Sequence, residues 1–171
     1  VSDDGSFWST SIPSGGGAVV IGPTFGRGGT YRFSSTGLVL SSDGSVTVTF
    51  ELAHSLADPS MVATGQETTI VGTACEGWTA ADPDTGALDC SPATPVAYTL
   101  DHDTGEVEDL PLPAAVSAEA ESRGGDTVPM ALYRDETGAV LLLARVGPRA
   151  SYHEWRLTGK KTEWEPRDAP I

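Results

Sequence analysis

Apolar residues in this chain fall in short runs separated by polar, glycine-rich breaks. The clearest is Ser45–Leu52, where Val46, Val48, Phe50 and Leu52 alternate with polar residues and predict a half-buried strand with all four on one face. Ala18–Ile21, Thr30–Phe33 and Gly37–Leu40 read as further strands, and Asp43-Gly44 as a hairpin turn. Residues 1–17, rich in Ser and Gly, read as a flexible lead-in with Phe7-Trp8 as an anchor. Residues 53–68 lack a period and predict a loop or a single helical turn.

The breaks repeat a dipeptide. Thr-Gly stands at Thr36-Gly37, Thr64-Gly65, Thr85-Gly86, Thr104-Gly105, Thr137-Gly138 and Thr158-Gly159. Three copies extend to Asp82–Gly86, Asp101–Gly105 and Asp135–Gly138. Glycine there supplies a positive φ, and the preceding Asp and Thr can hydrogen-bond the turn's own backbone. Each reads as a hairpin connection between strands. Gly86 and Gly105 recur at Gly138 and Gly159, offset by 52 and 54 positions, so the C-terminal part reads as two units of four antiparallel strands. The expectation is one all-β domain over 18–171, with internal units 18–68, 69–116 and 127–171.

Tyr98-Thr-Leu-Asp-His-Asp-Thr-Gly-Glu-Val-Glu-Asp-Leu-Pro111 resembles the blade phrase of kelch-like β-propellers, in which an aromatic strand enters an Asp-x-x-Thr-Gly turn. Trp155–Trp164 repeats it without the Asp, and the resemblance covers about residues 70–165. It implies four-stranded propeller-blade-like units, with a β-sandwich or barrel as the alternative. Three units are too few to close a ring in one chain, so a propeller implies association with other chains or further blades.

Composition narrows the partners. Ten basic residues against 24 acidic ones give a net charge of −14, a field that disfavours nucleic acid and anionic membrane surfaces. Asn is absent and Lys occurs only at Lys160 and Lys161, a bias resembling proteins of GC-rich bacterial genomes. Cys75 and Cys90 flank the first Asp-Thr-Gly turn, where hairpin geometry would bring them within disulfide reach. That bridge and the acidic charge predict a secreted or periplasmic protein.

Chemical candidates are few. Asp84-Thr-Gly matches the short aspartic-protease signature, as does Asp103-Thr-Gly, but polar, turn-like residues precede both, and adjacent hairpins cannot supply two symmetric lobes. Asp82, Asp84, Asp101 and Asp103 are the candidate ligands for Ca²⁺; the default is exposed acidic turns and no cofactor. His54, His102 and His153 are dispersed, and no Gly-x-Ser-x-Gly occurs. Gly15–Gly17 and Gly26–Gly29 lack the Lys-Ser/Thr of a phosphate loop. Tyr133, Arg134, Tyr152, Trp155, Arg156 and Trp164 are the candidate binding residues, of types that anchor interfaces. The expected function is an extracytoplasmic, non-catalytic binding or scaffold module docking a protein or a carbohydrate. The alternatives are a hydrolase-type enzyme, or part of one, using turn-tip carboxylates, and a structural subunit of a larger propeller assembly.

Overall fold

The computed structural model describes residues 8–11, 17–25, 32–75, 78–82, 87–90, 92–147, 149, 151–158 and 163–167. It is an all-β structure of blade-like antiparallel sheets, with one short helix among the described residues. The first four strands, β1 (Trp8–Ser11), β2 (Ala18–Phe25), β3 (Arg32–Leu40) and β4 (Val46–Glu51), pair in chain order. Four more form the middle array: β5 (Leu56–Thr64), β6 (Glu67–Cys75), β9 (Ala93–Asp101) and β10 (Val107–Asp109). Between β6 and β9 lies a separate hairpin of β7 (Trp78–Asp82) and β8 (Ala87–Cys90). The last array runs β11 (Met130–Arg134), β12 (Val140–Val146), β13 (Ser151–Leu157) and β14 (Trp164–Arg167). First and middle arrays share one hydrogen-bonded sheet, but β3 meets β5 through the single pair Phe33↔Leu56.

Burial shows how the arrays stack. Val19, Ile21, Val39 and Phe50 of the first pack with Leu56, Met61, Ile70, Tyr98 and Leu100 of the middle. The alternate residues of the middle array, Val62, Val71 and Ala97, pack with Leu132, Val140, Leu142, Trp155 and Leu157 of the last. The middle layer is thus covered on both faces, which is why Thr68 through Cys75 are buried without a break. Three four-stranded layers stand face to face, an arrangement that blades and sandwiches share.

Several sequence expectations change here. Thr36-Gly37 is not a turn; β3 passes straight through it. Gly37 is buried against the Phe50 ring and the Val20 carbonyl, where a side chain has no room. Val46 departs from the face of Val48 and Phe50, because a bulge pairs Val39 with Val48 but Leu40 with Val46 and makes Thr47 the extra residue. Residues 56–64 form β5 rather than a loop, their period hidden by a bulge at Asp58-Pro59, where Asp58 takes φ +46°. That bulge aims Ser60 at the last array, where its Oγ accepts the Leu132 N–H at 2.9 Å. The residues 1–17 expected to form a lead-in include strand β1, while Phe7 lies outside the described residues.

The arrays also divide the chain differently from the expected units. The hairpin turns of the middle array are at Gly65 and Gly105, and those of the last at Gly138 and the Thr158–Glu163 connection. Thr85-Gly86 belongs to the β7–β8 connection, outside the described residues, so it has no counterpart at Gly138. Cys75 and Cys90 are disulfide-bonded, with Cα atoms 5.2 Å apart. They are not hairpin partners, because Cys90 pairs with Trp78 and Cys75 with Ala93. The bond clamps the base of the β7–β8 hairpin.

The helix α1 (Ala114–Ser122) was not apparent from the pattern, since Val116 is its one buried residue. It follows Pro113, and its Glu119 accepts the Gly147 N–H at 2.8 Å while pairing with Arg123. Both interactions, the Gly147 bond first, hold the Glu119 carboxyl below its ordinary range.

Candidate functional site

The Asp-rich turns are self-contained caps. Asp135 Oδ1 accepts the Thr137 N–H at 2.8 Å, the Thr137 hydroxyl at 2.6 Å and the Ala139 N–H at 3.0 Å, around Gly138 at φ +84°. Asp101 Oδ1 accepts the Asp103 and Thr104 amides at 2.8 and 3.0 Å. Asp43 accepts the Ser41 and Ser45 hydroxyls and the Ser45 N–H. Hydrogen bonds to the charged form favour it. Bonds from the Ser41 and Ser45 hydroxyls bring the Asp43 pKa down to about 2. Asp101 is lowered by the Thr104 and Asp103 amides, and Asp135 chiefly by the Thr137 hydroxyl. Of the calcium candidates, Asp84 and the Asp82 side chain lie outside the described residues. Asp101 is engaged by its own turn, and no group of three or more acidic, His or Cys side chains gathers as a cation site among the described residues.

The turn ends form clefts. One, of about 570 Å³, is lined by Thr64 and Gly65 of the β5–β6 turn, Thr137 to Val140 of the β11–β12 turn, and Arg156, Leu157, Thr158 and Glu165. Three of the six threonines that precede glycine (Thr64, Thr137 and Thr158) thus line one cavity. Arg156 and Glu165 are register partners across β13 and β14. The cleft offers hydroxyls, a guanidinium and a carboxylate beside the apolar Ala139, Val140 and Leu157.

A smaller cleft of about 320 Å³ lies between the β3–β4, β5–β6 and β9–β10 turns and is lined in part by Ser41, Gly65, Gln66, His102 and Asp103. His102 is buried there, its Nε2 2.6 Å from Thr68 Oγ1 and its backbone N–H donated to Gln66 at 2.8 Å. Burial lowers its pKa against the opposing pull of Asp101, Asp103 and Glu67 and a bond to the Gly65 backbone. The ring ties two hairpin turns together.

The structure separates the six candidate binding residues. Tyr133, Tyr152 and Arg156 share the outer face of the last array with Leu143 and Arg145, in the rows Tyr133↔Leu141↔Arg156 and Arg145↔Tyr152. Trp155 points the other way into the core. Trp164 is half-buried, its Nε1–H donated to the Pro111 carbonyl at 2.8 Å. Arg134 ends β11 opposite Val140. Strand parity carries this distinction: Tyr152 and Trp155 are three residues apart and must face opposite ways. Thr64, Thr137, Thr158 and Glu165 were missed as site residues, because a turn motif does not say which turns meet.

No family model matches the chain, and no curated protein is similar to it at a significant level. Among solved structures, a mutant of the GH43 protein BlXynB from Bacillus licheniformis is similar to it at 13% identity, with a TM-score of 0.47. That similarity covers 95% of this chain, which spans 31% of the other.

Proposed function

We propose that this chain is an extracytoplasmic, non-catalytic binding module whose ligand site is the 570 Å³ cleft at the turn ends of the middle and last arrays. The carrying observation is the convergence of Thr64, Thr137 and Thr158 with Arg156 and Glu165 in one cavity. One guanidinium and one carboxylate line the cleft, and Asp135, near enough to feel Arg156, adds a second negative charge. The site therefore favours a neutral, hydroxyl-rich ligand over an anion, and the apolar side chains suit the faces of a sugar ring. Of the protein and carbohydrate readings, this chemistry supports the carbohydrate.

One observation supports the extracytoplasmic term. The Cys75–Cys90 bond fits an oxidising compartment.

The test is an NMR titration with neutral pentose and hexose oligosaccharides. Amide shifts are expected at Thr64, Gly65, Thr137 and Gly138, and Arg156→Ala or Glu165→Gln should weaken binding about 10-fold, the worth of one charged hydrogen bond. Folded protein that shows no shifts with these sugars, or shifts only with uronates, refutes the reading.

A further inference from the structure

Hairpin turns of all three arrays meet at one end of the stack, where the two clefts open. The larger is lined by the β5–β6 turn of the middle array, the β11–β12 turn and Thr158 of the last. The smaller is lined by the β3–β4 turn of the first array and the β5–β6 and β9–β10 turns of the middle. Gly65 lines both. Each cleft spans turn tips of adjacent arrays, and stacked sheets sit about 10 Å apart, so the cleft centres are on the order of 10 Å from each other.

The wall they share is bare and fixed. Gly65 takes φ +55°, and a Cβ there would meet nothing within 4 Å, so the tip offers open space over backbone. A left-handed φ favours glycine, which keeps that space free of side chain. Behind the tip, the buried His102 ring bonds the Gly65 backbone and, at 2.6 Å, Thr68 Oγ1. The Gln66 carbonyl accepts the His102 N–H at 2.8 Å. These bonds are internal, so His102 positions the wall while its neighbours meet a ligand. The smaller cleft also repeats the chemistry of the larger. Ser42 supplies a hydroxyl, Gln66 an amide and Asp103 a carboxylate, beside the apolar Leu40 and Val48. No Lys or Arg is among its described lining residues, so an anion finds no counter-charge there.

We propose that the two clefts are successive subsites for one neutral oligosaccharide, whose chain crosses the Gly65 tip. The proposal rests on the reading of the larger cleft as a sugar site, and adds to it a second site and a preference for longer chains. Both volumes, about 570 and 320 Å³, fall within the ligand-pocket range of about 300–1,000 Å³. A sugar chain held in one cleft presents its next residues to the other at an effective concentration of about 1 mM. A second site with a Kd of about 0.1 mM then raises affinity about 10-fold.

An NMR titration with neutral pentose and hexose sugars, from monosaccharide to hexasaccharide, tests the crossing. The shortest sugars should move the Thr137 and Gly138 amides. Longer ones should also move the amides of Ser42, Gln66 and Asp103 and the His102 ring signals, and bind about 10-fold more tightly. Gln66→Ala, which removes the amide, and Ser42→Tyr, which fills the smaller cleft, alter exposed positions. Each should return the hexasaccharide to the affinity of the disaccharide and leave the shifts at Thr137 and Gly138 in place. If one variant fails to fold, the other carries the result. Long sugars that move only the larger cleft overturn the crossing and leave the ligand-site reading standing. So does affinity that does not grow with length, or a gain that both variants retain. Shifts confined to the smaller cleft, or none in either, overturn the crossing and the ligand-site reading together.

Discussion

Gly37→Ala probes the contact between β3 and β4 at its tightest point. A Cβ at Gly37 would stand 2.7 Å from Phe50 Cε1 and 2.8 Å from the Val20 carbonyl oxygen. Phe50 Cζ would be nearer still, and carbon contacts settle at about 3.5–4.0 Å, so the ring would have to retreat by more than about 1 Å. The ring sits in the core with Val39, Leu52 and Ile70, and the carbonyl belongs to the β2–β3 ladder, where Val20 pairs with Leu38. Overpacking of this kind costs about 1–3 kcal/mol. In urea, with a slope of about 1–3 kcal/mol per molar, the midpoint should fall by about 1 M. Phe50→Leu in the Gly37→Ala background should recover part of the loss, since it relieves the ring but not the carbonyl. A Gly37→Ala protein within about 0.5 kcal/mol of wild type, the range of a neutral surface change, refutes the reasoning.

Other perturbations address separate links. Reducing the Cys75–Cys90 bond should lower stability by about 3 kcal/mol, measured as the shift in urea midpoint with and without reductant. Ser60→Ala removes the acceptor for the Leu132 N–H and should cost about 1–2 kcal/mol, with hydrogen exchange at Leu132 accelerating beyond that of its β11 neighbours. His102 is held neutral by burial, so its folded pKa lies below the ordinary 6.5. The unfolded chain takes up that proton first, so the ring's contribution is fully present above about pH 6.5 and is lost as pH falls through the folded value. His102→Gln should flatten that limb of stability against pH. An NMR titration placing the His102 pKa at or above 6.5 would sink the argument.

What the sequence disclosed was local, and what it concealed was the meeting of distant parts. Asp135 and Asp101 cap turns within five residues of themselves, so Asp-Thr-Gly could be read as a turn without knowing the fold. Thr36-Gly37 carries the same letters but answers to Phe50, and only the packed sheet says so. The two bulges, at Asp58-Pro59 and opposite Leu40, each shift the phase of alternation, hiding β5 and misplacing Val46. The repeat was visible in its spacing, yet the β7–β8 hairpin supplied a false Thr-Gly and displaced the alignment. The convergence of Thr64, Thr137 and Thr158 follows from stacking and was beyond the reach of any local pattern.

The clamp at the foot of the β7–β8 hairpin has a consequence for how this molecule can be altered. Cys75 closes the end of β6 and Cys90 the end of β8, and β9 resumes the middle sheet at Ala93. Everything between the cysteines is a covalent annex whose length enters no register of the three arrays. A single protease cut between Asp82 and Ala87 would leave the two pieces tied together by sulfur, and foreign sequence inserted there would hang from the same knot. This makes the hairpin the natural place to attach a tag or dye without disturbing the sheets.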